Sequence, residues 1–84
     1  MQHDPITQSC IWAKDNRAAL QQWLSTTPTI QGSTYSPRWL DALDESVDRW
    51  RGLYRAGARD DYLSRVYIAR PIEKIRKVLE SNRL

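Results

Sequence analysis

Phenylalanine is absent from this chain, and cysteine and histidine occur once each. A lone cysteine, Cys10, forms no internal disulfide, which excludes a disulfide scaffold and fits a reducing compartment. Its expected role is that of a buried structural thiol. The single histidine, His3, stands beside the N-terminus, where chains are commonly mobile. His3, Asp4 and Cys10 match no zinc spacing, and structural zinc sites usually want four ligands. Glycine is also scarce, with only Gly32, Gly52 and Gly57, so no glycine-rich phosphate loop is present. No metalloprotease, serine-hydrolase or kinase motif appears. A catalytic site needs a nucleophile, base or metal in a workable cluster. None is legible, and the expectation is a protein that is not an enzyme and holds no cofactor and no metal.

Long apolar runs are missing too. No segment is long enough to span a bilayer, and the first 25 residues contain no apolar signal core, so the expectation is no membrane and a cytoplasmic location. What the 84 residues do contain is four Trp and four Tyr, 40% hydrophobic residues and 27% charged ones. That composition is ordinary for a folded chain, and the length points to a single domain.

Charge is unevenly spread. Residues 1–48 carry Lys14, Arg17 and Arg38 against Asp4, Asp15, Asp41, Asp44, Glu45 and Asp48, a balance of −3. Residues 49–84 carry ten basic and four acidic side chains, a balance of +6. Arginine outnumbers lysine ten to three. This favours bidentate contact with carboxylate or phosphate, although a GC-rich genome raises arginine as well.

Asp4-Pro5 and Ser36-Pro37 are both helix-start signals, a capping residue followed by proline at the first helical position. The first predicts a helix over 5–25, with Ile6, Trp12, Ala13, Ala19, Leu20, Trp23 and Leu24 on one arc and Ile11 and Ala18 off it. Residues 26–36 (TTPTIQGSTY and Ser36) read as a loop, broken by Pro28 and Gly32. The second signal predicts a helix over 37–56. Trp39, Leu40, Leu43, Val47, Trp50, Leu53 and Tyr54 share its inner face, and charged residues share the other. Its acidic residues come early and its basic residues late, which complements the helix dipole, and Glu45 and Arg49 are spaced for an ion pair. Gly57 reads as a C-cap. With Asp60 as cap, a helix follows over 61–70, and its apolar residues Tyr62, Leu63, Val66, Tyr67, Ile68 and Ala69 nearly surround it, the pattern of a central, buried helix. Pro71 breaks or bends it, and a last helix covers 71–82 with Ile72, Ile75, Val78 and Leu79 inward. Trp12 and Trp23 are 11 apart, as are Trp39 and Trp50, close to three turns, so the two long helices are expected to meet through Trp faces. The expected fold is all-α: a small antiparallel helical bundle of three long helices, the last kinked at Pro71, or of four shorter ones.

The basic half supplies the candidate site: Arg49, Arg51, Arg55, Arg59, Arg65, Arg70, Lys74, Arg76 and Lys77. Arg51, Arg55 and Arg59 line up if the second helix runs that far. Such clustering is the electrostatic footprint of a phosphate binder, and it needs no special motif. A helix-turn-helix reading across Gly57 fits poorly, because the first helix is too long and Asp60-Asp61 at the head of the second repels phosphate. The stretch RWRGLYR (49–55) unites Arg, Trp and Tyr, the residues enriched in protein-binding hot spots. The leading expectation is therefore a small non-catalytic protein-binding module: an adaptor, a small complex subunit, or an inhibitor of a larger machine. Such proteins are common in phages and mobile elements. Its partner is another protein with an acidic surface. The alternative is a nucleic-acid binder using the same basic helices, as a monomer or a homodimer.

Overall fold

Asp4 begins the first helix as read: its backbone is extended, its Oδ1 accepts the Thr7 N–H at 2.9 Å, and Pro5 fills the first helical position. A computed structural model describes residues 4–81, so the His3 reading, Arg83 and the last position of the expected final helix, Asn82, lie outside the described residues. Helix α1 spans Pro5–Asp15 and α2 spans Arg17–Leu24. The predicted single helix is thus interrupted at Asn16, whose φ of −111° and ψ of 22° leave the helical region, and whose side chain donates back to the Trp12 carbonyl at 2.8 Å. Asparagine readily makes such local backbone bonds, and they compete with helix propagation.

The expected loop over 26–36 contains strands. β1 (Thr29–Ile30) and β2 (Ser33–Thr34) pair antiparallel around Gln31-Gly32, so the fold is mostly helical but not all-α. Both turn residues have positive φ, 51° and 83°. That is the geometry a two-residue hairpin needs to match strand twist, and glycine supplies it without strain.

α3 (Pro37–Arg55) then runs nineteen residues and closes as a Schellman motif. The Ala58 N–H reaches the Leu53 carbonyl and the Gly57 N–H reaches the Tyr54 carbonyl, both at 3.0 Å, with Gly57 at φ +106°. Leu53 and Ala58 both pack on the core, the apolar contact that accompanies this cap.

The next helix is capped by Asp61 rather than Asp60, whose Oδ2 accepts the Ser64 N–H at 2.9 Å. Pro71 does not break it. α4 (Tyr62–Ser64), a π turn (Arg65–Ala69) and α5 (Arg70–Ser81) follow without a gap. Proline lacks an N–H and its ring crowds the carbonyl four residues back. A wider turn placed just ahead of Pro71 fits both constraints. It also suits the sequence spacing: Ser64, Ile68 and Ile72 recur every four residues, which overshoots a 3.6-residue turn, and all three are buried.

α1 and α3 both pack against the π turn, α1 also meets α5, and α2 meets α3. The Trp50 Nε1 donates to the Thr7 Oγ1 at 3.2 Å, while Arg17 binds Asp44. Thr7 therefore faces the late part of α3 and Arg17 its early part. Ile6, Leu20, Leu24, Ile68, Ile72 and Ile75 are fully buried in one cluster. Each such side chain contributes on the order of 1.5–3 kcal/mol relative to exposure.

One expectation about rings is corrected. The 62–69 stretch is not a helix buried all round: Tyr62, Leu63 and Tyr67 are 64%, 45% and 57% exposed, while Ile68 is buried. Of the four Trp, only Trp50 is buried. Trp23 and Trp39 communicate through Tyr35, which sits 6.1 Å from the first ring and 5.6 Å edge-on from the second. Trp12 lines a cleft with Ala69 and Ile72 of the last helical segment.

Candidate functional site

Five of the nine basic side chains singled out by sequence are held by carboxylates or folded back on the chain. Arg49 does not pair with Glu45, four residues earlier. It reaches instead across the turn to Asp61, Nη1 to Oδ2 at 2.7 Å. The same Asp61 Oδ2 accepts the Ser64 hydroxyl at 2.8 Å, and Arg49 together with these Ser64 bonds holds the Asp61 carboxyl down to a pKa of about 2. Arg65 pairs with Asp60 at 3.0 Å and Arg76 with Glu80 at 2.9 Å. Arg59 is not the continuation of an arginine row, because α3 has ended. It turns back, its guanidinium 4.1 Å over the Tyr54 ring and its Nη1 donating to the carbonyls of Tyr54 and Ala58. That combination of stacking and carbonyl contact closes the Schellman turn from outside.

The fifth, Lys77, and the remaining four separate into two places. Arg70, Lys74 and Lys77 lie on α5 beside the hairpin, around a shallow cleft of about 450 Å³ that Ile30 and Gln31 also line. Lys77 there reaches Glu73 at 3.5 Å. Arg51 and Arg55 lie on α3, where it passes α1. Among the described residues Arg55 pairs with no carboxylate, and Arg51 only approaches Asp48 at 4.0 Å. Sequence reasoning placed all nine on one basic half, and the structure does not bring them together on one strip.

Arg51 and Arg55 border a cleft of about 260 Å³ between α1 and α3. Trp50 forms part of its floor, with Thr7, Cys10, Ile11 and Tyr54 around it and Lys14 on the opposite rim. Ile11 and Tyr54 are 43% and 36% exposed, and Tyr54 meets Trp50 edge-on at 5.9 Å. Cys10, Lys14 and Arg51 also line a second cleft, of about 270 Å³, further along the same crease, which Val47, Leu43 and the Arg17–Asp44 pair continue. In that pair a bidentate guanidinium contact (Nη2 to Oδ2 2.9 Å) lowers the Asp44 pKa and raises that of Arg17. Half-burial raises the Cys10 thiol pKa, with the nearby Arg51 charge pulling the other way. A thiol shifted upward in this way is mostly protonated at neutral pH.

Sequence reasoning missed Lys14 and Ile11 as rim residues. Ile11 off the main apolar arc of its helix was the available signal. It also missed the exposed patch of Tyr62, Leu63 and Tyr67, of which Leu63 and Tyr67 border a cleft with Glu45, Ser46 and Arg49. Among the described residues no three His, Cys, Asp or Glu side chains converge to hold a metal, and no helix is long and apolar enough to cross a membrane. Compared with family models, curated proteins and solved structures, the chain matches none.

Proposed function

We propose that this chain is a small non-catalytic protein-binding module of the cytoplasm, an adaptor, small complex subunit or inhibitor, whose basic residues meet an acidic surface on a partner protein. We read its helices as one antiparallel bundle, bent at Pro71, that presents this surface. The observation that carries the reading is the α1/α3 crease. There, cations with no close carboxylate among the described residues (Lys14, Arg55, and Arg51 at the margin) border apolar and aromatic side chains. Arg, Trp and Tyr around a partly desolvated cleft are the composition of a binding hot spot. A duplex binder would instead gather its cations into one phosphate-tracking surface, since its affinity scales with the number of phosphates neutralised. Here ion pairs neutralise several of them. One observation favours nucleic acid as the second reading: Arg70 and Lys74 stand four apart on α5 beside the hairpin.

The test pairs two assays. The immobilised chain and its R51E/R55E variant are challenged with extract of the source cells, and bound proteins are identified by mass spectrometry. In parallel, a random-sequence duplex and a single strand are titrated by fluorescence anisotropy at low and physiological salt. The expected result is a protein retained by the native chain and lost with the variant, with weak nucleic-acid binding. Micromolar nucleic-acid binding that falls steeply with salt, with no protein retained, overturns the reading.

A further inference from the structure

Resting on the protein-binding reading, we infer that the α1/α3 crease is a helix-docking groove whose occupant is an amphipathic helical segment with an acidic flank. The groove is two helical turns long: from Thr7 to Lys14 on α1 the rise is about 10 Å, and from Val47 to Arg55 on α3 about 12 Å. That length accepts apolar anchors at i, i+4 and i+7 of an incoming helix, the usual arrangement of a helix laid in an apolar groove. The Tyr54 ring, Ile11 and the half-buried Cys10 supply the apolar surface for those anchors, over the buried Trp50 ring.

The rim selects the charge. Arg51 and Arg55 are one helical turn apart on α3 and Lys14 stands across from them, so three cations frame the apolar strip. Glutamates spaced i, i+4 along one flank of the incoming helix match the Arg51–Arg55 spacing; among the described residues Arg55 has no carboxylate partner and Arg51 only the distant Asp48, at 4.0 Å. Further along, Asp44 is already occupied by Arg17, so that end of the crease adds little free charge of either sign. A second copy of this chain is a poor occupant. Its helix with the strongest acidic run, α3, buries its apolar face in its own core. The guanidiniums and rings would also accept a single strand of nucleic acid, by phosphate contact and base stacking. The groove favours the helix because, of its two rings, only Tyr54 is open enough to stack on a base, Trp50 being 2% exposed.

The experiment is a selection against the intact chain from a displayed library of helical peptides of about 16 residues, with outward positions drawn equally from Glu, Lys and Gln. Enrichment of an apolar i, i+4 pair flanked by Glu is expected. An enriched peptide, synthesised, binds the native chain and loses about tenfold or more in affinity to R51E/R55E, while R70E/K74E leaves it unchanged. Replacing its flanking Glu with Lys restores binding to R51E/R55E. The peptide also slows alkylation of Cys10, compared bound against free within each variant, since Arg51 itself alters the thiol. Enrichment of basic or neutral peptides overturns the inference. So does a loss caused by R70E/K74E but not by R51E/R55E, or Cys10 protection by an oligonucleotide that displaces the peptide. If extract proteins are still retained by R51E/R55E, the module reading stands and this groove is not its site. If no variant retains any protein, the module reading itself fails.

Discussion

The Trp50 indole is 2% exposed, and its single polar atom depends on one acceptor, the Thr7 hydroxyl 3.2 Å away. That hydroxyl in turn donates to the Asp4 Oδ2 at 2.8 Å, so a three-member relay ties α3 to the N-terminus of α1. Thr7→Val keeps the shape of the side chain and removes the acceptor. Leaving a buried N–H unsatisfied costs about 1–3 kcal/mol, and loss of the bond to Asp4 adds about 1. The Asp4 cap survives, because its other oxygen holds the Thr7 backbone N–H. The variant is therefore expected to lose about 3 kcal/mol. Thr7→Ser retains the hydroxyl and should stay within about 1 kcal/mol of the native chain. In a Trp50→Phe background the indole N–H no longer exists, and Thr7→Val should cost only about 1 kcal/mol. The double-mutant cycle thus predicts a coupling of about 1–3 kcal/mol, read from urea unfolding followed by far-UV circular dichroism. In a domain of this size each kcal/mol also moves the thermal midpoint by roughly 4–8 °C. Additivity of the two substitutions to within about 0.5 kcal/mol would refute the relay and leave Thr7 as a mere neighbour of the ring.

Three further perturbations address other parts of the fold. Gly57→Ala places a side chain at φ +106° in open space, so its cost is backbone strain alone; a loss above about 1 kcal/mol with unchanged helix content is expected in thermal melts, and a neutral result would mean the Schellman turn relaxes freely. Ile75→Ala empties a site with no solvent exposure, and should cost about 2–5 kcal/mol by urea unfolding. Asp61→Asn keeps a capping side chain but removes the charge beside Arg49. Folding lowers the Asp61 pKa to about 2 from the ordinary carboxylate value near 4. Below the ordinary value the unfolded chain takes up a proton that the folded chain resists, so Asp61 stabilises the fold above about pH 4, and that contribution is lost as pH falls towards 2. Urea midpoints of the native chain should therefore drop more steeply across that window than those of Asp61→Asn, and parallel profiles would remove Asp61 from the acid response.

The helix starts at Pro5 and Pro37, the Gly57 cap and the inner faces were legible because each follows from local chemistry. Ile6, Ala13, Leu20 and Leu24 are buried as their spacing requires, as are Leu40, Leu43, Trp50, Ile72 and Ile75. The hairpin was hidden by the rule that Pro, Gly, Ser and Thr signal loop. The overlooked cue was Gln31-Gly32 as a two-residue turn between β-branched Thr29-Ile30 and Thr34. The 62–69 stretch misled because its apolar residues were counted without asking which would fit a turn wider than an α-helix. With Ser64 and Ile68 on the inner line, Tyr62, Leu63 and Tyr67 fall outside it. No α-helical wheel could show this, since the π turn changes the angle per residue at the place where the wheel is drawn.

The basic half shows why a net charge is a poor guide to a binding surface. Ten cations against four anions in residues 49–84 suggest one strongly positive face. Yet Asp60, Asp61, Glu73 and Glu80 each engage a cation of that half, so its own carboxylates neutralise part of it. Screening reduces what exposed charges beyond about a Debye length, some 8 Å, contribute to one another. The residues that retain attraction for a partner are therefore those with no carboxylate close by and with apolar surface beside them to exclude water. Among the described residues Lys14 meets both conditions from the acidic half of the sequence, beside Arg55 from the basic half. The boundary that divides the chain by charge does not divide its surface, and the crease between α1 and α3 is where the two halves combine.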